Sequence, residues 1–83
     1  MTKDEVFTVV KGCIMEILPD LSEGDIRIEL SLKDLGANSI DRADIAVSAM
    51  EAIGLKMSMV EFGQVKNIQE LVNLLYGKKA ALV

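Results

Sequence analysis

With no histidine and a single cysteine among its 83 residues, this chain has few side chains that could do chemistry. Triads that use His as base, and metal sites built on imidazole, are excluded. Cys13 cannot form an internal disulfide. Hydroxyls remain, and among Ser22, Ser31, Ser39, Ser48 and Ser58 one has a distinctive setting: Leu35-Gly36-Ala37-Asn38-Ser39-Ile40-Asp41. Asn38 is a favoured helix N-cap, and Asp41 three positions later suits the positive end of a helix. Ser39 would then stand in a first helical turn, just after a Gly-containing loop. Backbone N–H groups there lack intrahelical partners, and the helix dipole favours an attached or bound phosphate by about 0.3–1 kcal/mol. Two readings fit these residues alone: a capping Asn-Ser pair, or a hydroxyl that carries a phosphate.

The elements that must position Ser39 can be read along the chain. Thr2-Lys3-Asp4-Glu5 has the pattern of a capping box. Val6, Val9, Val10, Cys13, Ile14, Ile17 and Leu18 then recur at helical spacing, and Pro19 disfavours helical geometry at Leu18, so the first helix is expected over residues 3–18. Residues 19–38 form a long connection with its own apolar anchors, Leu21, Ile26, Ile28, Leu30, Leu32 and Leu35. The alternation in Ile26-Arg27-Ile28-Glu29-Leu30 competes as a short strand. With no second convincing strand to pair it, an extended loop packed over the bundle is preferred. Ser31 to Leu35 can hold a helical turn before Gly36. A second helix runs from the Asn38 cap to Ile53, with Gly54 suited to the left-handed position that follows. Met59 to Gln64 is a short helix. Asn67-Ile68-Gln69-Glu70 starts a last helix through Tyr76, ended by Gly77, with Lys78 and Lys79 complementing its negative end. The fold expected is all-α: a small bundle of three main helices plus one short helix, with a long ordered loop between helices one and two. Residues 1–83 read as a single domain.

The second helix carries two apolar stripes. Ile45, Ala49, Ala52 and Ile53 form one, and Ile40, Ala43, Val47 and Met50 the other, with Asp44, Ser48 and Glu51 between them in places. At 100° per residue these lie on different sides of the helix. One faces the core. The other is either covered by the long loop or left for something that docks there.

Composition limits the partners. The chain is 51% hydrophobic, with two Phe, one Tyr and no Trp, so its core is built from aliphatic side chains and leaves no room for a deep substrate pocket. A formal charge of −4 argues against nucleic acid and anionic membranes and favours partners with basic patches. With no apolar leader after Met1 and no long apolar run, a cytoplasmic monomer is expected.

Leu35-Gly36-Ala37-Asn38-Ser39-Ile40, at the head of the second helix and after a long first loop, resembles the signature of the acyl carrier protein family. The likeness extends over essentially the whole chain. It implies that Ser39 receives 4′-phosphopantetheine from coenzyme A through a separate phosphopantetheinyl transferase. The chain would then be a non-catalytic carrier of acyl thioesters in polyketide or fatty acid biosynthesis. The reactive thiol belongs to the arm, so Cys13 takes no part and reads as core. The resemblance also gives the second stripe a use, since the family docks partner enzymes through this helix. Asn38, Ile40, Asp41, Arg42, Ala43, Asp44, Val47, Met50 and Glu51 occupy the corresponding places. The implied partners, beyond the transferase, are an acyltransferase and a ketosynthase or an enzyme resembling hydroxymethylglutaryl-CoA synthase.

Three positions depart from the family pattern. Asn38 replaces the usual Asp, which keeps the cap but drops a charge. Arg42 places a cation on a helix whose outer side is usually acidic, and Met50 is apolar where the family often has an acid. Ala37 to Arg42 is similar to discrete carriers of polyketide β-branching cassettes, which implies an acetyl donor. Two alternatives remain open at this stage. One is a peptidyl carrier of nonribosomal synthesis, against which Gly36-Ala37 in place of Gly-Gly and the acidic charge argue mildly. The other is a helical interaction module without an arm.

Overall fold

The computed structural model describes residues 1–81. Helix α1 spans Lys3–Ile17, α2 Ser39–Ile53 and α3 Ile68–Ala81, with 3₁₀ turns at Glu23–Asp25 and Met59–Gln64 and no strand among the described residues. The all-helical expectation holds, including the short helix at 59–64.

Helix α1 begins as its first residues dictate. Thr2 Oγ1 accepts the Glu5 N–H at 3.1 Å, and Glu5 Oε1 accepts the Thr2 N–H at 2.8 Å. Val6, Val10, Cys13 and Ile14 form its buried face. It ends one residue before the expected boundary: Leu18 leaves helical geometry at ψ 74°, because Pro19 crowds the α conformation of the residue before it.

The long connection is ordered by its contacts. Ile26 and Ala37 are buried, and Leu21, Leu32 and Leu35 pack against the core. Lys11 on α1 holds Glu23 at 3.0 Å. The Ile26–Leu30 alternation forms no strand because its carbonyls serve another purpose. The Ile68 and Gln69 N–H groups, orphan donors at the start of α3, donate to Leu30 and Ile28 O, both at 2.8 Å. The Ile28 side chain points outward and is exposed, so it is not the anchor its apolar character suggested.

On α2 the buried residues are Ile45, Ala46, Ala49 and Ile53. Ala46 replaces Ala52, which is exposed. The buried arc is centred between Ala49 and Ile53, so Ala46 enters it and Ala52 lies at its far margin. Gly54, at φ +81°, reverses the chain. Its N–H and that of Leu55 return to Glu51 and Met50 carbonyls at 3.2 and 2.8 Å, a Schellman pattern that also buries Leu55.

Helix α3 does not stop at Gly77 but continues to Ala81. The reason is tertiary. Lys78 pairs with Glu61 at 2.7 Å, and Lys79 Nζ donates to Ile53 O at 2.9 Å, so the last turn is held by contacts that lie after the glycine. Lys79 thus serves the C-terminus of α2 as well as that of its own helix. Ile68, Leu71, Val72 and Leu75 complete a core shared by all three helices. No helix among the described residues is long and apolar enough to cross a membrane.

Candidate functional site at the head of helix two

The segment before α2 explains why Ser39 sits at the surface. Ser31 to Leu35 makes the expected turn: Ser31 Oγ accepts the Asp34 N–H and Asp34 Oδ2 accepts the Ser31 N–H, both at 3.0 Å. The Leu35 and Gly36 amides then bond back to Leu32 and Lys33 O at 3.2 and 3.0 Å. Gly36 closes the turn at φ +94°, a conformation that side-chain-bearing residues rarely adopt. Ala37, only 4% exposed, is sunk into the core, and the chain rises from it into Asn38. Asn38 Oδ1 accepts the Asp41 N–H at 2.8 Å, Asp41 Oδ2 faces the Asn38 N–H at 3.4 Å, and Asn38 O accepts the Arg42 N–H at 2.9 Å. Among the described residues the N–H groups of Ser39 and Ile40 have no protein acceptor. An exposed hydroxyl thus lies beside two free donors at the positive end of a fifteen-residue helix.

The five serines differ in what their hydroxyls do. Ser22 Oγ donates to Asp25 Oδ2 at 3.0 Å, Ser31 Oγ accepts from Asp34, and Ser58 Oγ accepts the Val60 N–H at 3.3 Å. Ser48 lies half-buried in the middle of α2. Ser39 Oγ has one long contact, with Arg42 Nη2 at 3.4 Å.

Around Ser39 the structure gathers most of the anticipated surface. Ile40 is 72% exposed and Val47 38% exposed, with Ala43, Asp44 and Glu51 also open to solvent. The loop leaves this stripe uncovered, so the reading in which the loop buries it does not hold. Met50 belongs elsewhere, half-buried and packed against the core. The side chains of Asn38 and Asp41 are engaged in the cap. Cys13 is buried, and burial together with nearby Glu16 pushes its thiol above the ordinary range, which keeps it protonated and inert.

A cleft of about 510 Å³ opens beside Arg42, between α2, the Met59–Gln64 turn and the start of α3. Arg42, Ala43 and Ala46 form one wall, Phe62 and Leu71 face them, and Lys33 and Lys66 also line it. Sequence reasoning missed Lys33, Lys66 and Phe62. They lie in irregular segments without periodicity, and only the folded chain brings them to α2.

Residues 8–75 match the family model described as a phosphopantetheine attachment site. The chain belongs to the acyl carrier protein family. It is 41% identical over 78 residues to the "Polyketide biosynthesis acyl-carrier-protein AcpK" of Bacillus subtilis, covering 94% of this chain and 95% of that protein. It is 32% identical over 79 residues to an acyl carrier protein of Petrotoga mobilis, covering 94% and 92%. The cofactor of this family is 4′-phosphopantetheine, and its members are carriers rather than catalysts. When bound, the group supplies a terminal thiol that holds acyl chains as thioesters. The residues here fit such a group: Ser39 offers an exposed hydroxyl whose one contact is the Arg42 guanidinium, and two N–H donors at the positive end of the helix lie beside it, all suited to a phosphate.

Proposed function

We propose that Ser39 is the attachment site and that residues 1–83 act as one carrier domain for acyl intermediates of polyketide biosynthesis. The observation that carries this reading is the difference among the serines. Ser39 alone combines the family's motif, exposure and the head of a capped helix. In the attachment reaction a bond forms between Ser39 Oγ and the β-phosphorus of coenzyme A. The bond to the departing adenosine bisphosphate breaks, and the hydroxyl proton passes to the transferase. The chain has no histidine to act as base, which suits a substrate of that enzyme.

The acyl rather than aminoacyl assignment is supported by the names of both relatives above. The exposed stripe of Ile40, Ala43 and Val47, flanked by Asp44 and Glu51, is the docking face for the transferase, an acyltransferase and a condensing enzyme. Asn38, Asp41, Arg42 and Met50 border it. The working setting is a cytoplasmic monomer. Incubation with coenzyme A and a promiscuous transferase, read by intact mass, should add one arm per chain; an unchanged mass would leave a helical interaction module instead.

The narrower reading is that of an acetyl donor for β-branching, supported by Ala37 to Arg42 and by the polyketide relative. A loaded malonyl group would lose carbon dioxide and take up a proton, both on a partner enzyme, to give the acetyl thioester. A synthase resembling hydroxymethylglutaryl-CoA synthase would receive it. Arg42 is the discriminating residue, because a cation there repels the basic patches that dock ordinary acidic carriers. Acetyl transfer to that synthase and a ketoacyl acceptor carrier should be faster than from a generic fatty-acid carrier and should slow in Arg42→Glu. Equal rates in either comparison would remove the β-branching role.

A further inference from the structure

The connection between α2 and α3 is tied to the bundle at few points. None of the six residues of its Met59–Gln64 turn is buried. The turn's own hydrogen bonds are local: the Glu61 N–H donates to Ser58 O and the Val65 N–H to Phe62 O, both at 3.2 Å. Met57, Phe62 and Val65 pack half-buried against the core. Among the described residues, one polar contact joins residues 57–65 to another element, the 2.7 Å pair of Glu61 with Lys78. The neighbouring Lys79 Nζ donates to Ile53 O at 2.9 Å, where α2 ends and the connection begins. Both lysines lie beyond Gly77, in the last turn of α3. A Cβ at Gly77 would meet no atom within 4 Å, and its φ is not left-handed. Neither packing nor backbone calls for glycine there, yet glycine weakens a helix interior relative to alanine. The turn that carries both lysines is joined to α3 by its weakest link.

We propose that residues 78–81 form a latch, hinged at Gly77, that sets how often the 57–65 segment opens away from α2. When the last turn unwinds, Lys78 and Lys79 leave Glu61 and Ile53 O together. Met57, Phe62 and Val65 alone then hold the segment. The buried core ends at Leu75, so the turn detaches without opening the three helices. Closed, the latch also sets a cation against the negative end of α2, which favours the bound state. The segment faces Ala43 and Ala46 across the cleft, so its opening changes the surface beside the exposed stripe of α2. The inference concerns the chain itself and stands apart from the assignment of Ser39.

Amide hydrogen exchange of the full chain, followed residue by residue by NMR, tests the latch, because exchange reports each local opening. Lys79→Met keeps the side-chain stem and removes the donor to Ile53 O. It should speed exchange about tenfold at Ala80, Glu61 and Val65 alike and change little at Ile14 and Ala49. Lys78→Glu should speed the same three amides about two- to fivefold, and adding Glu61→Lys should restore them. Gly77→Ala acts in the opposite direction and should slow them about fivefold. If Lys79→Met does not fold, Gly77→Ala decides alone, since it strengthens the helix. Rates at Glu61 and Val65 that ignore these substitutions while Ala80 responds would describe a frayed helix end and overturn the latch. A change of the same size at Ile14 and Ala49 would be a change in global stability, and would overturn it as well.

Discussion

The two sides of α2 are made of similar residues and do different work. Ile45, Ala49 and Ile53 face the common core and are essentially sealed from water, while Ile40, Ala43 and Val47 on the same fifteen-residue helix lie open. Residue type does not distinguish them; what packs above them does. The long connection, which could have covered the outer side, is committed elsewhere. Its Ile28 and Leu30 carbonyls cap α3, Ile26 and Ala37 fill the core, and Lys11 holds Glu23. On the function proposed above, one side holds the helix in place and the other presents Ser39 and its surroundings to a partner.

The sharpest way to break this contrast is to place a charge on each side. Ile45→Asp buries an unpaired carboxylate at a fully enclosed position and should cost about 3–5 kcal/mol, enough to unfold a domain of this size. Val47→Asp should stay within about 1 kcal/mol in urea denaturation while impairing transfer by a partner enzyme. A reversed ranking would mean that the faces are misassigned. Met50→Glu lies between. Its side chain packs against the core, so about 1–2 kcal/mol is expected rather than a neutral effect. A cost as small as that of Val47→Asp would return Met50 to the open stripe.

The smallest effect concerns the loop and helix starts that frame both sides. Hydrogen bonds from Thr2, Ser22 and Ser31, chiefly from their backbone N–H groups, hold the Glu5, Asp25 and Asp34 carboxyls below their ordinary pKa values. A depressed carboxylate contributes stability above its unfolded pKa, near 4, and loses it as pH falls through the lower folded value. The melting temperature should therefore be flat at neutral pH and fall below about pH 4, less steeply in an Asp34→Asn variant. An identical acid profile in that variant would remove the Ser31–Asp34 turn from the account.

Much of this was legible in the sequence because it is local. The Thr2, Asn38 and Asn67 caps, the Pro19 stop and the Gly54 reversal each depend on residues within a few positions, and the folded chain uses all of them. The place of Ser39 at the head of α2 was legible for the same reason. The misreadings all involve distant partners. Gly77 looks like a stop until Lys78 and Lys79 find Glu61 and Ile53 O, and Ile28 looks like an anchor until its carbonyl is needed by α3. Ala52 and Met50 exchange surface and interior through a modest rotation of the helix that no periodicity fixes to within a residue. The cationic cleft was invisible because Lys33, Arg42 and Lys66 come from three separate segments.

The account stands on Ser39, and intact mass after incubation with coenzyme A and a phosphopantetheinyl transferase tests it most directly. Two variants are compared: Ser39→Ala, and a chain in which Ser22, Ser31, Ser48 and Ser58 are all Ala. The first should keep its fold, because the Asn38 cap remains, and gain no mass; the second should gain one arm. An arm on Ser39→Ala, or none on a folded quadruple variant, would contradict the assignment.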